Sequence, residues 1–501
     1  MVLLQTAKQR RQAHCYLNIS RWLPFKGYAQ KRRGFSPIRI SCCNKSLVPP
    51  LVIVLALFFG TSTVQAFSKS APAPRPYMGW SSWSSMRRHV TAGKIEAQAR
   101  VMAARLKKYG YTYINIDSGW SNGYYPNGKV HPNSFDTYGR PMPNRYEFPH
   151  GIKAVATYVH SLGLKIGIYM SPGLKIPVWK ANCRILGTPY RVRQIADPSR
   201  WGSTFPHHQS QPYRASYAIN YNKPGAQAYI QSEADLFASW GVDFIKMDWV
   251  AVRGGKHPVD NRADIKHWAI ALKRTGRPIW LELSAGQNIN YATFWTTYAN
   301  GCRLDSDIEA YGTPYLTSWP HILLRFRAAP AWARYAGPGY WNDLDSLEVG
   351  NGRRDGLTRI ERQSAMTLWC ISCSPIYLGA DLQHLTAVDF KMVTNRAVIA
   401  IDQAGCVATP ISQATPQQIW RVKNADGSYT VALFNLANVP ARVTARWSMV
   451  GFHGAAAVHD LWMRRNLGVL RHGFSAVLPA HGSRLLIVTP AKRNTTIHTE
   501  H

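Results

Sequence analysis

Two charged residues lie within a segment that is otherwise typical of a buried β-strand. Residues 241–250 are mostly apolar or aromatic, yet they include Lys246 and Asp248. On a strand, side chains two positions apart point to the same face, and an ammonium group beside a carboxylate keeps that carboxylate ionised. An ionised aspartate at the end of a strand can act as a nucleophile. A structural ion pair that closes a core strand is the alternative, and this segment alone does not decide between the two.

Further polar side chains stand at the ends of other segments with strand character. The chain has only 26 acidic residues among 501, so their gathering at such positions is informative. A pair of carboxylates beside an aromatic face suits a sugar ring, because one acid can protonate the leaving oxygen while the other carboxylate acts at the anomeric carbon. The strand-end residues are Trp83, Asp117, Asp248, Ser284, Arg303, Asp307, Asp343 and Asp345.

The sequence gives no reason to expect a cofactor or a metal. It has no phosphate-binding glycine loop and no cluster of metal-ligating histidines and cysteines. Five cysteines follow residue 66, an odd number without dense spacing, so we predict no disulfide framework. Cys370 and Cys373 lie in an apolar helical run, and we assign them to core packing.

The elements that must position the strand-end residues alternate between strands and helices. Amphipathic helices are predicted at residues 94–109, 151–162, 226–240, 262–275, 322–335 and 359–371. Strands are predicted at residues 77–82, 113–119, 165–171, 244–250, 278–284, 302–308, 340–347 and 375–379. Eight β-then-α units predict an α/β fold closed into a (β/α)8 TIM barrel, which we assign to residues 77–405 and whose chemistry should lie at the C-terminal ends of the strands.

The character of the chain changes after residue 405. Gly, Asn and Asp turns replace helices, and alternating or apolar segments occur at residues 419–422, 429–435, 441–447 and 484–489. This pattern predicts a small C-terminal antiparallel β-sandwich domain at residues 406–492. Residues 493–501 are assigned to a polar tail.

Residues 1–66 have the features of a basic leader followed by a signal peptide. The apolar run at residues 47–60 is too short to span a bilayer comfortably, Lys45 precedes it, and the small residues Val64 and Ala66 follow it. We predict cleavage after Ala66, a secreted or periplasmic protein, and a Pro-rich linker at residues 67–76. No stable membrane insertion is expected after cleavage, and an uncleaved membrane anchor is the alternative.

The formal charge of +34 does not predict a nucleic-acid partner. Residues 1–45 hold ten of the Lys and Arg residues and no acidic residue. After them the basic residues are spread along the chain, without the stacking pattern of single-strand binders. The excess could favour an acidic polysaccharide or an anionic surface, and it specifies neither.

Seven segments, in order along the chain, resemble the signatures of the melibiase-type α-galactosidases, family 27 of the glycoside hydrolases. They are MGWSSW (78–83), YINIDSGW (113–120), GLKIGIY (163–169), KMD (246–248), RLDSD (303–307), AGPGYWNDLD (336–345) and NRAVIAIDQ (395–403). The resemblance implies a retaining, exo-acting hydrolysis of α-linked sugars, with Asp248 as nucleophile and Asp307 as acid/base. The positions at which family members bind the sugar are Trp83, Asp117, Ser118, Lys246, Ser284, Arg303 and Asp345.

Two of these positions depart from the family pattern. The family's Asp-Asp pair is Asp117-Ser118 here, and Ser284 replaces a glutamate that the family's galactosidases carry on the fifth strand. Glu282 would share the face of Ser284 and is a candidate carboxylate at another depth. A serine at this place is reminiscent of the related α-N-acetylgalactosaminidases, in which a small residue makes room for the acetamido group, although the following residues do not continue that pattern. The sugar is therefore left open.

The segment 174–226, between the third and fourth strands, is far longer than the corresponding family loop and belongs to the active face. Its Trp179, Tyr190, Trp201 and Tyr213 are candidates for stacking on sugar units beyond the cleaved one. We therefore predict a secreted α-galactosidase-like glycosidase that acts on an α-linked glycan. A barrel that binds carbohydrate without catalysis is the rival hypothesis; the two serines favour it, and the two retained aspartates oppose it.

Overall fold

The computed structural model describes residues 68–122, 134–203, 215–254 and 258–491. The predicted leader, the signal peptide with its cleavage site, and the polar tail lie outside the described residues. Within them, no helix is both long enough and apolar enough to cross a bilayer.

Eight parallel strands form the central sheet. They are β1 (Met78–Ser81), β2 (Tyr113–Ile116), β3 (Lys165–Met170), β4 (Phe244–Met247), β5 (Trp280–Leu283), β6 (Gly301–Arg303), β7 (Trp341–Asp343) and β8 (Ile376–Leu378). Their spatial order is β7-β6-β5-β4-β3-β2-β1-β8. Just after β7, a parallel bridge between Leu347 and Leu378 joins the two ends of this order. The predicted barrel is therefore confirmed, with seven of its strands inside their predicted ranges and β6 beginning one residue before its predicted start.

A helix follows each strand. In order these are α1 (Ala92–Val101), α2 (Gly151–Ser161), α3 (Ala226–Trp240), α4 (Arg262–Arg274), α5 (Ala292–Tyr298), α6 (Trp319–Trp332), α7 (Arg359–Ile371) and α8 (Arg396–Gln403). Helix α7 begins with a capping box, in which Thr358 and Glu361 exchange side-chain to backbone hydrogen bonds. Such a cap satisfies amide groups that the first turn of a helix leaves without partners. Shorter helices lie at Trp83–Met86, Ile176–Ala181, Val192–Ile195 and Ala387–Val393.

Residues 68–76, predicted as a linker, pack at the N-terminal end of the barrel strands. Ala71 and Ala73 are buried there. The side chain of Asn300 donates to the Ala71 carbonyl at 2.9 Å, and Trp341 Nε1 donates to the Ala73 carbonyl at 3.0 Å. Small side chains let the backbone approach closely enough to satisfy these buried donors. We name this segment the basal plug, because it is part of the barrel's packing rather than a free connection.

The insertion between β3 and α3 has secondary structure of its own. Its strands Leu174–Lys175, Ser216–Ile219 and Ala196–Trp201 form a three-stranded antiparallel sheet. Trp179 meets the ring of Tyr217 edge-on, with centroids 5.2 Å apart, and Trp201 stacks on the same ring at 5.7 Å. These aromatic contacts give the insertion a small core of its own.

The C-terminal part is an antiparallel β domain, as predicted. One sheet has the order Thr409–Pro410, Gln417–Lys423, Tyr429–Asn435, Ser483–Pro490, Ala456–Asp460 and Arg465–Leu470, and a second pairs Ala441–Arg446 with Gly473–Leu478. The domain contacts the barrel at α7. There the Ser364 hydroxyl donates to the His481 carbonyl at 2.6 Å, and the His481 ring is hydrogen-bonded to Glu361 at 2.6 Å.

The five cysteines after residue 66 are all free. Cys370 and Cys373 are buried, as their assignment to the core requires. Burial raises the pKa of both thiols well above the ordinary value, which keeps them protonated and unreactive.

Candidate active site

A cleft of about 400 Å³ opens at the C-terminal ends of the barrel strands. Ser284, Arg303 and Asp345, three of the residues that the sequence assigns to the site, are buried and do not belong to its lining. The structure brings the other six together in the cleft wall: Trp83, Asp117, Ser118, Lys246, Asp248 and Asp307.

Lys246 is held in the cleft by Asp117 rather than by Asp248. Its Nζ donates to Asp117 Oδ2 at 2.8 Å, and both side chains are largely buried. Burial alone would lower the pKa of Lys246, but Asp117 and then Asp248 outweigh it and hold that pKa above its ordinary value. Lys246 therefore influences Asp248 through its charge, while its direct ion pair reaches across to the end of β2.

Asp248 immediately follows β4. Its backbone N–H donates to the Met170 carbonyl at 2.8 Å, which continues the pairing of β3 with β4 and fixes the position of the residue. Burial is the largest influence on its carboxyl group and raises its pKa, although Lys246 and Arg303 oppose this shift. The backbone of Asp248 is thus fixed by strand pairing, and its carboxyl group lies where water has little access.

Asp307 is held by two donors. Arg303 Nη2 lies 2.6 Å from Asp307 Oδ1, and the Tyr311 hydroxyl donates to Asp307 Oδ2 at 2.7 Å. Burial would raise the pKa of Asp307, but the charge of Arg303 and then the Tyr311 hydrogen bond outweigh it, so this pKa lies below its ordinary value. In the free protein Asp307 is therefore more readily ionised than Asp248. That order is the reverse of the one that a nucleophilic Asp248 and an acidic Asp307 need when the glycosidic bond breaks.

Tyr311 is a site residue that the sequence analysis missed. Its hydroxyl donates to Asp307 and accepts a hydrogen bond from Trp83 Nε1 at 2.7 Å. The guanidinium group of Arg87 lies over its ring, 4.9 Å from the centroid. Tyr311 thus joins the predicted acid/base to the predicted stacking residue. Its one signal in the sequence is an aromatic residue four positions after Asp307, and none of the seven motifs includes it.

Arg303 connects Asp307 to Asp345. Its Nη1 lies 3.2 Å from Asp345 Oδ2 while its Nη2 contacts Asp307. Asp345 has a φ of +81°, and its carboxylate also accepts from the Tyr377 hydroxyl at 3.2 Å and from the backbone N–H of Ile308 at 3.0 Å. These contacts make Asp345 a partner of Arg303. A direct sugar contact by either residue stays a prediction.

Neither Ser284 nor Glu282 supplies a polar group to the cleft lining. Ser284 is only 1 % exposed, and its hydroxyl has no hydrogen-bond partner in the part of the chain that the structure describes. Glu282 lies in the barrel interior, where its Oε2 accepts from Trp280 Nε1 at 2.8 Å. Burial, and then the charge of Asp343, raise the pKa of Glu282 well above its ordinary value. The carboxylate suggested as a replacement at another depth is therefore a protonated group of the barrel core.

Three of the four aromatic residues proposed to bind sugar from the insertion are described by the structure, and none of these three is in the cleft lining. Trp179 and Trp201 pack on Tyr217 instead, Tyr190 packs against the main core, and Tyr213 lies outside the described residues. Trp179 and Trp201 therefore stabilise the insertion itself, and sequence composition alone does not reveal this role. The insertion instead contributes Gly173, Lys175, Pro177 and Val178 to the cleft.

One acidic group near the cleft has the spacing of a metal site. Carboxylate oxygens of Asp307, Glu309 and Asp345 lie within 4.8 Å of one another. Arg303, however, contacts both Asp307 and Asp345, so a fixed positive charge already stands between them. The arrangement is that of an arginine-centred network.

A parallel barrel with an antiparallel C-terminal domain and a carboxylate-lined mouth fits a glycoside hydrolase, and the comparisons with known proteins place the chain in that class. The family model described as alpha galactosidase A matches residues 75–179 and 216–404. The model of the alpha galactosidase C-terminal beta sandwich domain matches residues 414–488. The chain belongs to the melibiase-type α-galactosidases, family 27 of the glycoside hydrolases, as its motifs indicated. Residues 180–215, within the insertion, fall outside both models.

Known relatives resemble the chain over most of their length. Alpha-galactosidase 2 of Arabidopsis thaliana is 28% identical, over 83% of this chain and 90% of its own. An alpha-galactosidase of Oryza sativa subsp. japonica is 28% identical, over 83% of this chain and 85% of its own. Among solved structures, the GH27 β-L-arabinopyranosidase Abp of Geobacillus stearothermophilus has a TM-score of 0.75 and 31% identity, covering 84% of this chain and 97% of that one.

Proposed function

We propose that this chain is an exported, retaining exo-glycosidase of the α-galactosidase type, which removes terminal α-linked galactose or a closely related sugar from oligo- or polysaccharides. The observation that supports it most directly is that Asp248 and Asp307 line one cleft in different surroundings. Asp307 is hydrogen-bonded to Arg303 and Tyr311, whereas Asp248 lies in a more strongly desolvating place. Two carboxyl groups with different environments can divide the roles of nucleophile and acid/base.

In the first step, Asp248 attacks the anomeric carbon while Asp307 gives a proton to the leaving oxygen. This step needs Asp307 protonated and Asp248 ionised; because the charges of the two carboxyl groups interact, their protonation states depend on each other before the reaction. Once Asp248 is esterified it has no charge. Asp307 is then ionised beside Arg303 and accepts a proton from the water that releases the sugar, so its low pKa in the free protein suits the second step.

The ion pair of Lys246 with Asp117 provides a charged donor and a charged acceptor in the cleft wall. Both groups retain hydrogen-bonding capacity beyond their mutual contact, which neighbouring sugar hydroxyls can use. Trp83 adds an aromatic surface for the apolar face of the ring. A non-catalytic carbohydrate-binding protein would use the same features, but it would not need the two aspartates.

A second candidate activity is that of a β-L-arabinopyranosidase. β-L-Arabinopyranose has the ring geometry of α-galactose without the exocyclic hydroxymethyl group, so it requires fewer hydrogen-bond acceptors. Ser118 lines the cleft where the family motif has a second aspartate, and Abp of Geobacillus stearothermophilus has this activity. An α-N-acetylgalactosaminidase is less favoured, because Ser284 is buried outside the cleft lining.

The decisive experiment compares the nitrophenyl glycosides of α-galactose, β-L-arabinopyranose and N-acetyl-α-galactosamine as substrates of the purified protein. We expect cleavage of at least one of the first two, with NMR showing that the released sugar first appears with retained anomeric configuration. Binding of galactose without cleavage of any of the three would establish the carbohydrate-binding alternative. Inversion at the anomeric carbon would reject the double displacement.

Export is tested separately. The basic leader, the apolar run and the small residues at 64 and 66 predict that the mature protein begins at Phe67. N-terminal sequencing of the exported protein measures this directly. A start before residue 47 would show that the apolar run is retained as an anchor.

A further inference from the structure

The cleft extends beyond the residues around Asp248 and Asp307. Its wall includes Tyr229, Glu233 and Phe237, which are spaced four apart on one face of α3. It also includes Phe135 and, from the insertion, Lys175 and Val178. We call this part of the cleft the loop-side pocket and define it by Phe135, Lys175, Val178, Tyr229, Glu233 and Phe237. None of the seven family motifs contributes to it.

The loop-side pocket contains two charged groups that form no ion pair with each other, the buried Glu233 and the partly buried Lys175. Lys175 Nζ donates to Ser171 Oγ at 2.5 Å. Within the described residues, neither Lys175 nor Glu233 has an oppositely charged group within 4.0 Å. The neighbouring charges of Asp136 and Arg140 are paired with each other at 2.7 Å. The net charge of the pocket is therefore set by Lys175 and Glu233.

Burial shifts both groups toward their neutral forms. It raises the pKa of Glu233 to about 7 and lowers the pKa of Lys175 to about 8. Below pH 7 Glu233 is mostly protonated and can donate a hydrogen bond, while Lys175 remains charged. In that range the pocket carries one positive charge. Among the described residues, no acidic group lies within ion-pair distance to balance it.

We propose that the loop-side pocket binds a uronic acid unit of the substrate, next to the sugar that is cleaved, with Lys175 as the partner of its carboxylate. This inference rests on the proposed glycosidase function. A uronate combines apolar C–H faces, which can pack against the partly exposed ring of Phe135, with one carboxylate. A carboxylate compensates a desolvated ammonium group better than a sugar hydroxyl does, because hydrogen bonds between charged groups are stronger than neutral ones.

The test uses two disaccharides that share a terminal α-galactose and differ only in the second unit, glucuronic acid in one and glucose in the other. The readout is the ratio of kcat/KM for the uronate to kcat/KM for the neutral disaccharide. Below pH 7 the wild-type ratio should be about ten or more, the value of one charged hydrogen bond. A ratio of one or less would overturn the inference.

Matched variants locate the effect. Lys175→Met should lower the ratio about tenfold, and Lys175→Arg should keep most of it, because the positive charge is retained. Lys180→Met is the control, since Lys180 lies on the same insertion and is exposed to solvent; it should leave the ratio unchanged. An equal fall of the ratio in Lys180→Met would show that the preference is a long-range effect of net charge, and would also overturn the assignment to the pocket.

The pH dependence gives an independent readout. As the pH rises through 7, Glu233 ionises, the pocket loses its net positive charge, and the uronate preference should fall. In Glu233→Gln the preference should no longer fall with the ionisation of residue 233, and it should be lost only as Lys175 itself becomes neutral, at a pH no higher than about 8. Calorimetric titration of Asp248→Asn with both disaccharides checks the same selectivity without turnover. If wild-type protein cleaves nitrophenyl glycosides but neither its turnover nor the binding of Asp248→Asn shows a uronate preference, the pocket assignment fails and the proposed function stands. If wild-type protein cleaves neither the nitrophenyl glycosides nor the disaccharides, the proposed function itself fails.

Discussion

The floor and the side wall of the cleft are built in different ways. The floor consists of the ends of β1–β8, where Lys246 is paired with Asp117, and where Arg303, buried beneath the cleft lining, is paired with Asp307 and Asp345. The side wall consists of α3 and the insertion, and its Lys175 and Glu233 have no ion pairs among the described residues. Paired charges fix each other's positions, whereas unpaired charges leave a contact for a ligand to make. We therefore expect the floor to carry the chemistry and the wall to select the glycan.

Removing the predicted nucleophile, Asp248, should produce the largest effect. Asp248→Asn is expected to lower kcat for the best nitrophenyl glycoside by at least about a thousandfold, because amide nitrogen and oxygen cannot replace a carboxylate nucleophile. The fold should persist, since the variant removes a buried charge and keeps the shape of the side chain. Asp235→Asn, at an exposed position of α3, is the matched control and should retain full activity. Labelling with an activated fluorosugar should modify Asp248; a label on Asp307 would exchange the two roles.

Breaking the ion pair of the floor should affect stability and activity together. Lys246→Met leaves Asp117 buried without its partner, and such a loss costs about 3–5 kcal/mol. Thermal denaturation should show a clear fall of Tm, and kcat/KM should fall by about tenfold to a hundredfold with the loss of a charged donor. The double variant Lys246→Met with Asp117→Asn should recover part of the stability but not the activity. Recovery of both would mean that the pair only stabilises the fold.

A smaller effect is expected from changing Tyr311, which joins Asp307 to Trp83. Tyr311→Phe removes a donor that stabilises the ionised form of Asp307, so the pKa of Asp307 should rise. Because the first step needs protonated Asp307, the alkaline limb of the kcat/KM profile should move to higher pH. Tyr315→Phe is the control, since Tyr315 is a similarly exposed tyrosine four residues further along. An unchanged alkaline limb in Tyr311→Phe would show that Arg303 alone sets the pKa of Asp307.

The smallest effect should come from the N-terminal cap of α7, which lies outside the cleft lining. Thr358→Ala removes the cap of α7 and should cost about 1 kcal/mol of stability. The measurement is a modest fall in Tm at unchanged kcat and KM. Thr297→Ala, an exposed threonine on α5, should leave both properties unchanged. A change in KM on removing the cap would indicate that the cleft depends on the docking of α7.

The sequence predicted the floor well because strand periodicity and strand-end chemistry are local signals. All eight strands lie where the apolar segments predicted them, and the carboxylates at their ends converge because parallel strands end at one rim. The sequence could not decide which partner each charge would choose. Lys246 pairs with Asp117, which is 129 positions away in the chain, and such long-range choices depend on the closed barrel.

The wall was predicted less well. Tryptophan and tyrosine residues in an active-face loop suggest sugar stacking. In the structure, however, Trp179 and Trp201 both pack against the ring of Tyr217. An inserted segment must bury some apolar surface to hold a conformation, and its largest side chains are the most effective for that purpose. Glu233 and Lys175 gave no signal, because they become neighbours of one pocket only when α3 and the insertion fold against each other.

The basal plug has a consequence for the order in which the chain acquires its structure. Ala73 contacts Trp341 across 268 positions of sequence, so the first residues of the plug leave the ribosome long before their partners exist. Their burial must wait until β6 and β7 have been made, since distant contacts form after local ones. A protease site or a reactive label placed at residues 68–76 would therefore become protected only in chains whose barrel is complete. The time at which this segment becomes protected therefore measures when the barrel closes.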